Sequence, residues 1–556
     1  MNDQRESSGH VTGPVDRRQF LRYGAIGGAM AAAVSMPLAV PDASAAPRPA
    51  PAPVLAFDLE EATVGDLQKR MESGQETARS LVEKYLGRIE TLDKQGPALH
   101  HVIELNPDAL AIADALDAER KSKGARGLLH GIPVLVKDNI GTADRMTTTA
   151  GSLALEGSIP AKDAFVARRL REAGAIILGK TNLSEWANFR SSHSSSGWSG
   201  RGGQAKNPYA LDRNPSGSSS GTGGAIASSY AAVGIGTETD GSIVSPSNNC
   251  SLVGIKPTLG LVSRAGIIPI AHSQDTAGPM TRTVGEAAIL LGALVGADQD
   301  DVATKNAAVK SKTDYTTYLN PHALEGARIG IPRKECFGQS VHADKIADEA
   351  IAVLKQLGAV IVDPANLPPS RGFSDSEMDV LLYEFKADVN AYLAALGPKA
   401  PAHTLKEIIE FNETHKDREM PFFGQEIFIR AEKKGPLTDV AYRTALATNR
   451  RLSRALGIDA VMARYKLDAF VAPTSGPASL TDLVNGDYGP GGCSTYPAVA
   501  GYPHITVPGG YAVGLPVGLS FFGRAWSEGK LIGYAYAYEQ ATKHRKPPTF
   551  PATVTL

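Results

Sequence analysis

The sequence predicts an α/β protein, with helices covering both faces of a mixed, mostly parallel central sheet in one large domain. Three observations carry that expectation. Apolar runs of strand length alternate with segments whose apolar residues recur at helical spacing, which is the signature of a sheet with covering helices. No clear linker interrupts positions 60 to 545. The composition is that of an ordinary globular chain, 42% hydrophobic and 21% charged.

Taken in order, the elements support this reading. Within Thr77 to Leu92, the residues Leu81, Tyr85, Ile89 and Leu92 form a helical stripe. Ile132-Pro133-Val134-Leu135-Val136 reads as a buried strand. Asp163 is a candidate cap for a helix running through Ala173, and Ala175 to Leu178 is the next strand. Helix–strand pairs recur at 345–362 and at 440–472. Ile505-Thr506-Val507 and Leu515 to Phe521 are strands, and a helix follows from Glu528 to about Lys543. Length alone would suggest about three domains. The Pro/Gly-rich stretches 364–372 and 394–402 look like loops, however, so one domain with insertions is the better expectation. No internal repeat is visible.

The first residues are read separately. Arg17-Arg18-Gln19-Phe20-Leu21-Arg22 precedes a Gly- and Ala-rich apolar run from Tyr23 to Val40, and Ala43-Ser44-Ala45 offers a cleavage site. This is the pattern of a twin-arginine export signal over residues 1–46. Pro37 and the glycines make the run a poor membrane anchor. A Pro/Ala-rich leader, 47–58, has nothing to pack, and the folded domain is expected over 59–550. The implied partner is the twin-arginine export machinery, with a periplasmic or secreted product and no stable membrane association once the signal is removed.

The net charge is -1, with no basic block, which removes the electrostatic basis for nucleic-acid binding. The three cysteines, at 250, 336 and 493, show no CxxC spacing, which argues against a disulfide framework or a cysteine zinc site.

Several motifs compete for the chemistry. Gly174 to Thr181 fits the phosphate-loop pattern GxxxxGKT, but Ala-Ile-Ile-Leu inside it favours a strand rather than a loop wrapping a phosphate. Gly217-Ser218-Ser219-Ser220-Gly221 fits the GxSxG nucleophile elbow, which must follow a strand. Asn207 to Pro215 before it reads as a loop. A Ser–His–Asp esterase using Ser219 would also need one of His272, His403, His415 or His504, none of which has a recognisable partner. The stretch Asn214 to Thr258 stands out more. Two Gly/Ser/Thr blocks enclose the small apolar run Ala225 to Ile235, and a linker has no reason to alternate in that way. Glycines that free backbone amides and serines that supply hydroxyls suit a catalytic loop pair.

At these residues the chain resembles the amidase signature hydrolases. The resemblance rests on Gly131 to Asn139 (GIPVLVKDN), Pro215 to Thr222 (PSGSSSGT), Gly236 to Ile243 (GTETDGSI) and Val253 to Thr258 (VGIKPT). It continues through Ser273 to Met280, Gly501-Tyr502-Pro503, Leu515 to Leu519 and Tyr538 to Ala541. It implies the amidase signature fold and a Ser–cisSer–Lys triad: Ser242 as nucleophile, Ser218 as the serine at an unusual cis peptide bond, and Lys137 as base. It also implies an oxyanion hole from the backbone amides of Thr239, Asp240, Gly241 and Ser242. Physically, a serine needs a neighbour to take its proton, and a lysine can do so only when burial keeps it neutral. No metal or organic cofactor is required.

The chain has Asp240-Gly241 where Gly-Gly is commoner, and Ser218-Ser219-Ser220 where Ser-Ser-Gly is commoner. Both variants resemble peptide amidases and related bacterial amidases. The Asp240 side chain is expected to turn from the oxyanion, toward a polar or cationic end of the substrate. The expected partner is therefore a small-molecule or peptide amide, first a peptide C-terminal amide and second a broader aliphatic or aryl amide. Two rivals are an ammonia-supplying amidotransferase component, which an export signal disfavours, and a non-catalytic envelope binding protein, which would have no reason to keep Lys137, Ser218 and Ser242. Loops 188–213, 370–435 and 485–500 are expected to line the substrate pocket, with Phe422, Phe423, Tyr488 and Tyr496 as a candidate aromatic wall.

Overall fold

Thirteen strands form among the described residues, in chain order: β1 (Val102–Leu105), β2 (Pro133–Lys137), β3 (Ile176–Thr181), β4 (Trp198–Ser199), β5 (Gly203–Gln204), β6 (Val233–Glu238), β7 (Val253–Lys256), β8 (Thr276–Thr281), β9 (Arg328–Gly330), β10 (Val360–Val362), β11 (Ala469–Pro473), β12 (His504–Ala512) and β13 (Leu515–Phe522). All but the small β4–β5 pair join one sheet, in the order β1-β3-β2-β6-β8-β7-β12-β13-β11-β9-β10. The structure is a computed structural model and describes residues 56–488 and 491–554. The expected export signal and all but the last residues of the Pro/Ala leader lie outside the described residues.

The sheet is mixed. Parallel pairings make up its two wings, β3-β2-β6 and β11-β9-β10, and antiparallel ladders join them through β8, β7, β12 and β13. Every residue of β2, β3, β6, β7, β8, β11 and β13 is buried, so both faces of the sheet are covered. No helix among the described residues is long and apolar enough to cross a membrane.

Local sequence explains most elements. The helical stripe after Thr77 folds as Ala78–Ile89, closed at its start by reciprocal bonds between Thr77 and Ser80 and buried along Leu81, Val82, Tyr85 and Ile89. The phosphate-loop look-alike is β3, and Lys180 is sealed inside it, donating to the Ile140 carbonyl and the Thr148 hydroxyl. Two expectations need correction. Asp163 does not cap the next helix, which starts at Phe165 behind Ala164. Its carboxylate instead accepts from the Ala143 amide and from Arg171. The Gly/Ser block is also not all loop, because Ser220–Ala227 (SGTGGAIA) is a buried helix. Intrinsic propensity disfavours it, but its glycines permit close packing. A Cβ on Gly221 would collide with the Asn182 and His101 carbonyls.

The Pro/Gly-rich stretch 364–372 leads, largely as loop, into a helical insertion, and 394–402 makes the turn between its first two long helices. The insertion helices Ser374–Ala395, Leu405–Thr414 and Glu426–Glu432 share a second core with Trp186 and Phe189, in which Phe385 stacks on Phe428. A buried arginine ties this insertion to the segment that follows β3. Arg190 meets Glu185 at 2.5 Å with both side chains fully buried, donates to the Glu419 carbonyl, and lies over the Phe423 ring. Replacing one member of a buried pair strands the other charge, at a cost of about 3–5 kcal/mol. Arg190→Ala should therefore lower the urea-unfolding free energy by about that amount, whereas Arg145→Ala, whose pair with Asp108 is surface-exposed, should change it little.

Candidate active site

β2 and β6 run parallel and side by side, so their C-terminal ends fall together. Lys137 ends β2, and Thr237 and Glu238 end β6. The Lys137 Nζ donates to the Ser218 hydroxyl at 2.7 Å, to the Thr237 hydroxyl at 3.0 Å and to the Thr237 carbonyl at 3.3 Å. Asn139 donates to the same Thr237 hydroxyl at 3.0 Å. Lys137 and Ser218 are wholly buried and Ser242 is 7% exposed. Burial pushes the Lys137 ammonium down to about 7 against the opposing pull of the Asp275 and Glu238 carboxylates.

A cis peptide joins Gly217 to Ser218. The Ser218 carbonyl accepts from the Ser184 amide at 3.0 Å, and the next amide, of Ser219, donates to the Ser242 carbonyl at 3.1 Å. The loop carrying Ser218 is thus bonded through its side chain to Lys137 and through its backbone to Ser242. Ser219 faces elsewhere. Its hydroxyl donates to the Thr237 carbonyl and accepts from the Thr237 amide, and among the described residues no histidine bonds it. The four candidate histidines lie in other networks. His272 pairs with Asp388 and Glu384, His403 with Glu407, His415 stacks on Phe411, and buried His504 bonds Ser520. The nucleophile-elbow geometry is therefore absent at Ser219.

The turn Thr239 to Ser242 connects β6 to the short helix Val244–Asn249. Gly241 adopts φ 79°, a left-handed conformation that a side chain would disfavour. The Glu238 carboxylate accepts from the amides of Ile243 and Val244 at 2.8 and 3.0 Å. The four amides before them, Thr239 to Ser242, make no hydrogen bond among the described residues. Asp275 fixes the turn from the side. It accepts from the Thr239 hydroxyl at 2.6 Å and from the Ile270 and Ala271 amides, and burial raises it to about 6.

The Asp240 carboxylate accepts from the Ser494 hydroxyl at 2.5 Å. Gln274 donates both to the Thr239 carbonyl at 3.3 Å and to Glu377 of the insertion helix at 3.0 Å. Sequence reasoning assigned no role to Thr237, Glu238, Gln274, Asp275 or Glu377. The first four lie inside the quoted motif blocks and carried a signal there, whereas Glu377 sits in a helix with no motif around it.

A cavity of about 480 Å³ borders this region through Asn139, Thr237, Thr239 and Asp275, with Ile267 and Ile268 as apolar walls. It meets the β6 end of the site rather than Ser242. A smaller one of about 210 Å³ adjoins Ser245, Asn249 and Ser494. The expected aromatic wall does not form. Phe422 and Phe423 both pack edge-on against Trp198, Tyr496 is buried against Phe373, and Tyr488 is largely exposed. The ligand atoms of His272, Glu384 and Asp388 lie within 4.8 Å of one another, but both imidazole nitrogens already face carboxylates.

A lysine held near 7 in the folded state and 10.5 in the unfolded chain destabilises the fold. The unfolded chain binds the extra proton between those values, so this cost is largest at pH 7 and below and fades as pH rises toward 10.5. Lys137→Met, of similar volume, should raise unfolding free energy at pH 7 by on the order of 2–4 kcal/mol, with the gain shrinking at pH 9 to 10. Chemical denaturation at three pH values checks this.

Comparison with known proteins agrees with the geometry. The Amidase family matches residues 80–532. A probable amidase of Arabidopsis thaliana is 44% identical over 505 residues, covering 89% of this chain and 93% of its own. The native peptide amidase from Stenotrophomonas maltophilia superposes with a TM-score of 0.85 at 49% identity, covering 89% of this chain and all of its own. A glutamyl-tRNA(Gln) amidotransferase component from Thermoanaerobacter pseudethanolicus is 33% identical over 506 residues, covering 88% and 99%. With these motifs, this sheet and these relatives, the chain belongs to the amidase signature family of amide hydrolases.

Proposed function

We propose that the protein hydrolyses carboxylic-acid amides through an acyl-enzyme on Ser242, with Lys137 as base and Ser218 as the proton bridge between them. The observation that carries this reading is the 2.7 Å bond from a fully buried Lys137 Nζ to the Ser218 hydroxyl. A neutral Lys137 draws the Ser218 proton, Ser218 draws that of Ser242, and the freed Ser242 oxygen attacks the amide carbon. The oxyanion is received by the amides of Thr239 to Ser242. The proton returns along the same path to the leaving nitrogen, and water then attacks the acyl-enzyme with the same base assistance.

The substrate proposed is a peptide C-terminal amide. Asp240-Gly241 in the turn and the 49% identity to a peptide amidase favour it over transfer of ammonia to charged tRNA, whose relative is 33% identical. A panel of peptide amides, aliphatic amides and anilides, assayed on pure enzyme, decides the point. Greater turnover of anilides than of peptide amides would reject this substrate.

Ser242→Ala should lose about four or more orders of magnitude in turnover while keeping its circular dichroism. A fluorophosphonate should label Ser242, and label found on Ser219 would overturn the assignment. Because Lys137 must be neutral to accept a proton, kcat/KM should rise as pH passes about 7 and hold on the alkaline side. Lys137→Arg should be as inactive as Lys137→Ala, since a guanidinium keeps its proton.

Export by the twin-arginine route is also proposed, on Arg17-Arg18 and the weakly apolar run behind them. Changing both to lysine should leave active enzyme in the cytoplasm of the producing cell. Unchanged export of that variant would refute the signal.

A further inference from the structure

The cavity of about 480 Å³ beside the β6 end of the site has no task in the mechanism above. Its apolar wall is the segment Ile267 to Ile270, and that wall is pinned at two points. The Ile268 amide donates to the Asn139 carbonyl at 2.8 Å, two residues beyond Lys137, and the Asn139 side chain donates back to the Ile268 carbonyl at 3.5 Å. Further along, one carboxylate oxygen of Asp275 accepts from the Ile270 and Ala271 amides at 2.8 and 2.9 Å. The other oxygen of the same carboxylate accepts from the Thr239 hydroxyl at 2.6 Å. Asp275 thus holds the apolar wall and the first residue of the amide row in one fixed relation. Thr239 itself borders the cavity, and so does Thr237, whose hydroxyl accepts from Lys137. The cavity is therefore continuous with the groups that surround the reacting centre.

The charged side chains on its walls are engaged elsewhere. Arg264 pairs with Asp301 at 2.7 Å and donates to the His272 carbonyl, and His272 pairs with Asp388 at 2.8 Å. Asp275 spends its carboxylate on the three bonds just described, while Asp300 and Arg450 are exposed to solvent. A charged group brought inside would lose water and gain no unpaired buried partner, which is costly. An apolar group would instead cover Leu259, Ile267, Ile268 and Ile270, removing apolar surface from water on both sides. The volume lies within the range of about 300–1,000 Å³ usual for small-molecule sites, and it has room for a branched or aromatic side chain.

We infer that this cavity receives the side chain of the residue that bears the scissile amide, and that it selects a large apolar one. This rests on the amide-hydrolase reading above and narrows its substrate class. With the carbonyl oxygen at the amides of Thr239 to Ser242, a substituent directed past Thr239 enters the cavity. Ile267, Ile268 and Ile270 then become specificity-determining residues, supplied by the loop between β7 and β8.

The test uses Ser242→Ala, so that binding is read without turnover, and compares N-acetyl-phenylalaninamide with N-acetyl-glycinamide. Calorimetry should show the phenylalanine compound binding about ten- to one-hundred-fold more tightly. Ala265 lines the same cavity and makes none of the bonds at Lys137, Ser218 or Ser242, so Ala265→Phe should fill the space. Added to Ser242→Ala, it should bring the ratio to about one while leaving the affinity for N-acetyl-glycinamide unchanged. If that variant unfolds, Ala303→Phe, on another part of the cavity wall, serves the same comparison. Equal affinities in the Ser242→Ala protein, or a preference that survives the filling, would overturn the inference. The two proposals fail separately. Selective binding of the phenylalanine compound with no hydrolysis of either amide by the parent enzyme would reject the hydrolase reading alone. Hydrolysis of both amides with equal kcat/KM would reject this inference alone.

Discussion

Removing an ammonium group from water at the end of a central strand costs several kcal/mol unless the group loses its proton or finds acceptors. At Lys137 this protein does both in part. The Thr237 and Ser218 oxygens accept from Nζ, and the Asp275 and Glu238 carboxylates pull toward the charged form, yet burial dominates and the lysine sits near 7. The surrounding architecture follows from that balance. The parallel pairing of β2 with β6 delivers the acceptors, and the carboxylates that temper the shift are the same ones that shape the turn before Ser242.

Those carboxylates have a second consequence. Glu238 occupies the amides of Ile243 and Val244, and Asp275 holds Thr239 from the side, so the amides between them are positioned without being used. A row of fixed, unoccupied donors stabilises developing negative charge because little reorganisation is needed when that charge appears. The acidic side chain at position 240 has a partner of its own, accepting from the Ser494 hydroxyl.

The insertion contributes through long-range contacts rather than through motifs. Its second core is stapled by the Arg190–Glu185 pair, and its helix Ser374–Ala395 brings Glu384 and Asp388 to His272 and Glu377 to Gln274. The loop between β7 and β8 is thereby gripped from two sides, by the insertion and by the turn Thr239 to Ser242. Shape at the site thus depends on segments that carry no recognisable catalytic pattern of their own.

The alternation of elements, the strand ending in Lys137 and the loops bearing Ser218 and Ser242 were legible in the sequence, because each is a contiguous stretch whose composition matches a local conformation. The helix Ser220–Ala227 was not, since its glycine content opposes helix formation and only close packing against the Asn182 and His101 carbonyls favours it. Asp163 fits a capping pattern locally, but its carboxylate found partners at Ala143 and Arg171 instead. The partners of Asp240 and Gln274 lie 254 and 103 residues away in the chain, and no local pattern encodes such pairings. What the sequence by itself determined was the strands and turns that carry Lys137, Ser218 and Ser242, because those depend on near neighbours. The order of the strands, the downward shift of Lys137 and the partners of Asp240 and Gln274 were decided only by tertiary structure, because burial and electrostatic coupling arise from segments that meet after the chain has folded.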